Sequence, residues 1–194
     1  YPLLVHTLID HAAINHGDRE MVTRSVEGPI RRTNYRNLRQ RSLQIAKALQ
    51  NEGIGVGDRV ATMAWNTDQH FETWYGIMGI GAICHTLNPR LFAEQLIYII
   101  NHAEDRILLT DPMFLPLIEK IIDNCPKLEK IVAMCTAENL PESSLDIIAY
   151  EDFIGGFDGN YAWPEFEETA ASSLCYTSGT CLLYTSDAAD DLLC

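Results

Sequence analysis

From Arg59 onward the chain alternates between short apolar runs of strand length and amphipathic runs of helix length. "DRVATMA" is followed by "DQHFETWYGIMGIGA", "ICHTL" by "LFAEQLIYIINHAED", and "RILLT" by "DPMFLPLIEKIIDN", after which "KIVAMC" reads as another strand. Strands that alternate with helices of about a dozen residues form β-α-β units. The expected fold class is therefore α/β, a doubly wound, mostly parallel sheet with helices on both faces. In such sheets ligands bind at the carboxyl ends of the strands. That draws attention to residues 66–68, to residues 88–90, to Asp111 and to the loop after Tyr176.

The N-terminal third is more local in its signals. "PLLVHTLIDHAAINHG" carries a helical stripe at Leu4, Leu8 and Ala12, with Gly17 as its stop. "REMVTRS" and "IRRT" flank Glu27, Gly28 and Pro29 and predict a hairpin. "TNYRNLRQRSLQIAKALQNEG" predicts a helix capped by Thr33 or Asn34, with Tyr35, Leu38, Ile45 and Leu49 on one face and Gly53 at its end. Asp111 before Pro112 predicts another capped helix start. Residues 136–166, rich in Pro, Gly and acids, predict loose structure, and "SSLCYTSGT" a strand running into a loop.

The 194 residues carry a net charge of −13, which argues against nucleic acid as a partner because that surface repels phosphate backbones. The six cysteines form no Cys-x-x-Cys pair, and no basic-apolar signal segment opens the chain. They are expected as reduced thiols in a cytoplasmic protein, with Cys84, Cys125, Cys135 and Cys175 packed as small apolar residues. The most apolar stretch, residues 74–87, is shorter than the roughly 20 residues a membrane span needs, so no transmembrane segment is expected. The chain does not begin with Met, which fits a chain cut at that end.

Several motifs favour plain readings. The glycines at 53, 55 and 57 follow a helix and precede a strand, the reverse of a dinucleotide-binding turn. His6, His11 and His16 are five apart and share no helix face for a metal. Asp10, Asp18 and Glu20 read as solvated surface, and "PEFEE" as a solvated loop. The loop "YTSGT" at 176–180 is different. Hydroxyls at Thr177, Ser178 and Thr180 are donors, and Gly179 lets the backbone approach a ligand closely. Successive backbone N–H groups there can form an anion-binding concavity. On five residues alone a Ser/Thr-rich surface turn is the better reading.

A resemblance changes that balance. "AWNTDQHFETWYGIMGIGAICHTLNPRLFAEQLIYIINHAEDRILLTD" and "YAWPEFEETAASSLCYTSGT" resemble the N-terminal part of AMP-forming acyl-CoA ligases. Within them the chain is similar to medium- and long-chain fatty-acyl-CoA ligases, including the 3-methylmercaptopropionyl-CoA ligase group. The resemblance runs from Tyr1 to Thr180. It implies the first part of the large N-terminal domain of the adenylate-forming fold. It also implies an enzyme that activates a fatty acid with ATP to an acyl-adenylate and passes the acyl group to CoA, releasing AMP and pyrophosphate. Thr177, Ser178, Gly179 and Thr180 would contact the ATP phosphates, with Thr177 beside Mg²⁺. ATP, Mg²⁺ and CoA are the implied cofactors and co-substrates, and the resemblance leaves room for a homodimer. The rival readings are another adenylate-forming ligase, for an aryl or short-chain acid, and a non-catalytic α/β nucleotide-binding module.

The family's loop continues Thr-Gly-x-Pro-Lys-Gly, whereas this chain continues "CLLYTSDAADDLLC". That tail back-translates into text resembling the transposon end and adapter of short-read sequencing libraries. Residues 1–180 are thus expected to be a partial adenylation domain and residues 181–194 a foreign tail. The second Tyr-Thr-Ser, at 184–186, is then coincidence. Asp187, Asp190 and Asp191 belong to the tail, which takes the charge of the remainder to −10. Lacking the loop's lysine and everything downstream, the chain by itself is expected to be inactive and to hold no catalytic residue.

Overall fold

The computed structural model describes residues 2–24 and 29–176. α1 (His6–Asn15) leads into a two-stranded antiparallel ribbon, β1 (Glu20–Arg24) and β2 (Ile30–Asn34). The hairpin is as expected, although its turn lies outside the described residues. α2 (Tyr35–Asn51) follows directly. Asn34 is its cap, accepting from the Asn37 N–H at 2.9 Å, and Gly53 leaves the helix at φ +73°.

The remainder is the predicted α/β alternation. β3 (Arg59–Met63), β4 (Ile83–Thr86), β5 (Ile107–Thr110), β6 (Lys130–Ala133), β7 (Ile147–Ala149) and β8 (Ser173–Cys175) form one parallel sheet in the order β7-β6-β5-β3-β4-β8. α3 (Asp68–Gly79), α4 (Ala93–Ala103), α5 (Leu115–Ile121) and α6 (Tyr150–Gly155) cover it.

Strand side chains alternate, so each strand feeds two cores. Val60, Cys84, Ile107, Leu109 and Val132 pack under α2, α3 and α6, against Ile45, Leu49, Ile77, Tyr150 and Ile154. Ala61, Met63, Leu108, Ile131 and Ala133 pack on the other side, against Leu96, Ile100, Ile118 and Ile121 of α4 and α5. Helices therefore lie on both faces, as the alternation implied.

Five expectations need correction. Residues 136–166 are not uniformly loose, because they contain the edge strand β7 and α6. The buried stripe of α1 is Ile9 and Ala13, one residue along from Leu8 and Ala12, and Leu8 is exposed. Asp10 is not plain surface: it accepts from Arg39 Nε at 2.5 Å and from Trp163 Nε1 at 3.1 Å, tying residues 156–172 back onto α1. Cys175 is exposed, unlike Cys84, Cys125 and Cys135. The helix after Asp111 is broken into a 3₁₀ turn (Pro112–Phe114), α5 and a second 3₁₀ turn (Ile122–Asn124), and the Asp111 side chain does not cap it.

Candidate functional site

The sheet's carboxyl edge gathers the loops singled out in the sequence. β3 turns through Trp65 and Asn66 into Thr67, whose hydroxyl caps α3 by accepting from the His70 N–H at 3.3 Å. Asp111, at the exit of β5, accepts from the Trp65 N–H at 2.7 Å, while its own N–H donates to the Met63 carbonyl. Its side chain bridges the loops of β3 and β5 instead of capping the 3₁₀ turn that starts after it. β4 ends in the turn at 88–90, where the Arg90 N–H donates to Asn88 Oδ1 at 3.0 Å. Arg90 is exposed and makes no ion pair among the described residues.

β8 lies at the edge of the sheet beside β4, with Cys84, His85 and Thr86 paired to Ser173, Leu174 and Cys175. The parallel register delivers the chain to the carboxyl edge at Tyr176. Thr177, Ser178, Gly179 and Thr180 come next and lie outside the described residues. β8 thus ends at the carboxyl edge, the edge at which open α/β sheets bind ligands.

Sequence reasoning gave no role to the side chains that hold Tyr176. Its hydroxyl shares a 2.5 Å hydrogen bond with His102 Nδ1 near the end of α4, and its ring centroid lies 5.3 Å from that of His85. His85 and Asp105 are fully buried, and His85 Nδ1 donates to Asp105 Oδ2 at 2.7 Å. Burial raises Asp105 above its ordinary value, with the His85 bond and charge opposing. The only signal in the sequence was a histidine inside the apolar run "ICHTL".

On the other side of β3, His70 is buried. Trp74 Nε1 donates to its Nε2 at 3.0 Å, and its Nδ1 meets the Trp65 carbonyl at 3.1 Å. Burial lowers its pKa, so the ring is held neutral. It floors a cavity of about 250 Å³ walled by Met21, Val22, Phe71 and Trp74. Cys84 is pushed up to about 12 by burial and is an unreactive thiol. Among the described residues no group of three His, Cys, Asp or Glu could hold a metal, and no helix is long and apolar enough to cross a membrane.

The sequence profile described as AMP-binding enzyme matches residues 9–181. The chain belongs to the AMP-binding enzyme family. This AMP-binding chain is 45% identical over 179 residues to the medium-chain-fatty-acid–CoA ligase of Ectopseudomonas oleovorans, covering 92% of the chain and 33% of that protein. It is 43% identical over 180 residues to the 3-methylmercaptopropionyl-CoA ligase of Ruegeria pomeroyi, with the same coverages of 92% and 33%. Its fold matches the crystal structure of an anthranilate CoA ligase in complex with anthranoyl-AMP at a TM-score of 0.67 and 27% identity, over 77% of this chain and 27% of that one. The AMP-binding chain thus spans about a third of the length of these relatives.

Proposed function

We propose that the full-length protein is an AMP-forming fatty-acyl-CoA ligase, and that Thr177, Ser178, Gly179 and Thr180 are its contacts to the ATP phosphates. The observation that supports this reading is the parallel pairing of β8 with β4, which ends β8 and Tyr176 at the carboxyl edge of the sheet, directly before those four residues in sequence. The names of the two relatives above 40% identity support an aliphatic acid substrate. The aryl-acid alternative draws on a likeness of only 27%.

In this reading the loop's work is electrostatic. A carboxylate attacks the α-phosphorus of ATP, pyrophosphate leaves, and the acyl-adenylate then passes its acyl group to the CoA thiol. Charge grows on the leaving oxygens, and preorganised N–H and hydroxyl donors stabilise it without reorganisation. Mg²⁺ would arrive on the triphosphate, polarising its oxygens. By the family resemblance, the chain's own contact beside it would be the Thr177 hydroxyl. Residues 1–180 would be the opening part of the adenylation domain and residues 181–194 foreign text, leaving this chain inactive by itself. The parent would work in the cytoplasm on fatty acid, ATP and CoA, as a monomer or a homodimer.

ATP–pyrophosphate exchange with a series of fatty acids tests the reading, using the full-length protein amplified from source DNA. Exchange that falls by roughly 10²-fold or more with Thr177→Ala plus Thr180→Ala supports it. Exchange unchanged by that pair overturns the loop assignment. Recovery of Cys-Leu-Leu-Tyr-Thr-Ser after Thr180 from unfragmented DNA overturns the foreign tail.

A further inference from the structure

We propose that Tyr176, His102 and the buried His85–Asp105 pair form a clamp that fixes where the phosphate loop leaves the sheet, with His85 as a positioning residue for ATP. The proposal rests on the reading of residues 177–180 as that loop.

Little else holds β8. It is three residues long, lies at the sheet's edge, and Ser173 and Cys175 are exposed. A strand so short and half-solvated sets no loop geometry by itself. A loop that must bind a polyanion through fixed donors needs its anchor held to a fraction of an ångström.

The anchor is Tyr176. Its ring packs on the α4/α5 side of the sheet, and its hydroxyl is bonded to His102. The His102 ring lies edge-on to it at 5.9 Å and stacks in turn on Tyr98 at 5.5 Å. From below, Tyr176 rests on His85, whose neighbour on the strand, Cys84, faces the other core.

The His85–Asp105 pair stands out energetically. The face it shares with Ala61, Leu96, Ile100 and Leu108 is mainly apolar, and a buried ionisable pair is no more stabilising there than a well-packed hydrocarbon. His85 Nε2 and Asp105 Oδ1 are buried and have no hydrogen-bond partner among the described residues, an added cost. What the pair supplies is orientation. Asp105 fixes the His85 ring through Nδ1, and the ring fixes the plane on which Tyr176 lies.

The test compares Tyr176→Phe, His85→Leu and His85→Asn with the parent full-length protein in ATP–pyrophosphate exchange. KM for ATP, KM for the fatty acid, kcat and the thermal midpoint are read for each. Tyr176→Phe deletes one oxygen and keeps the ring, so it reports on the clamp even where His85→Leu fails to fold. The expected result is a rise of roughly tenfold to a hundredfold in KM for ATP with Tyr176→Phe and His85→Leu, and KM for the fatty acid unchanged. His85→Asn, which keeps a donor for Asp105, should recover most of the loss. A structural role alone would lower the active fraction, and so apparent kcat, while leaving KM for ATP alone. Parental KM for ATP in Tyr176→Phe overturns the clamp. Insensitivity of the Thr177→Ala plus Thr180→Ala pair would instead remove the loop reading beneath it.

Discussion

The two faces of the sheet are held by different chemistry. Under α4 and α5 the packing is mainly hydrocarbon, interrupted by Thr110, His85 and Asp105. Under α2, α3 and α6 a polar network runs through the core. Arg41 Nε donates to both Glu72 oxygens at 2.8 and 2.9 Å, its terminal nitrogens donate to Glu151 at 3.1 and 2.7 Å, and the Tyr150 hydroxyl donates to Glu72 Oε2 at 3.0 Å. Gln69 adds a bond to Glu151 at 3.1 Å. Here both oxygens of the buried carboxylate are partnered, whereas the His85–Asp105 pair keeps two atoms unpaired among the described residues. A fully satisfied polar network specifies a packing arrangement. An unsatisfied one is better explained by what lies against it, which on this face is Tyr176.

Arg41→Ala should destabilise the molecule most. It strands Glu72, whose side chain is 2% exposed, and unties Glu151. Breaking a buried pair by removing one partner costs about 3–5 kcal/mol. Because Arg41 itself is 28% exposed, the lower end of that range is expected. The loss should be local to α6, since α6 touches α2 and α3 through this network. Hydrogen exchange should show the α6 amides losing protection before those of α4 and α5. Equal loss on both faces would show that hydrocarbon packing, not the network, docks α6.

A pH titration sharpens the same contrast. Burial pushes Glu72 up to about 7 from an ordinary 4.5, with Arg41 acting against the shift. A carboxyl whose folded pKa is raised binds its proton more tightly when folded. Its contribution is therefore fully present below pH 4.5 and is lost as pH rises through about 7. Over that window the contribution from this group should fall by roughly 3 kcal/mol, at 1.36 kcal/mol per pKa unit. Glu72→Gln should flatten the unfolding midpoint against pH between 5 and 7. A ¹³C-detected Glu72 midpoint at or below 4.5 would contradict the burial argument.

These two faces also explain what the sequence revealed and what it hid. The apolar periods of α2, α4 and the strands β3, β4, β5 and β6 are signals within single segments, and each of these elements appears where the period placed it, whereas the edge strand β7 was missed. α6 has no such period. It is six residues long, and Glu151 on it is held by Arg41 and Gln69, 110 and 82 residues upstream. A contact between side chains so far apart leaves no local trace. The α1 stripe was misread because Leu4, Leu8 and Ala12 and the pair Ile9 and Ala13 fit a helical period equally well. At the site, the loop's hydroxyls and glycine were legible as chemistry, and the resemblance gave them a role. The surroundings of Tyr176 were not, since His85 and His102 meet it only through the pairing of β4 with β8.

The smallest expected effect comes from Gly76, where α3 meets α2. A Cβ built there would lie 2.2 Å from Ile45 Cγ2 and 3.0 Å from the Ser42 carbonyl oxygen. Neither α4 nor α5 contains a glycine, so this close approach belongs to one face only. Two effects compete in Gly76→Ala. Helix propensity favours Ala by about 1 kcal/mol. Overpacking costs about 1–3 kcal/mol when the neighbours cannot yield. Ile45 is β-branched and stiff at χ1 within a helix, it is fully buried, and Ser42 presents backbone, so the neighbours yield little. Overpacking should win, with a net loss of about 1 kcal/mol in urea denaturation. Ile45→Leu in the same molecule moves the branch away from Cβ and should recover part of the loss. Gly76→Ala at or above parental stability would show that α2 and α3 can slide apart, and that the network around Arg41 tolerates the movement.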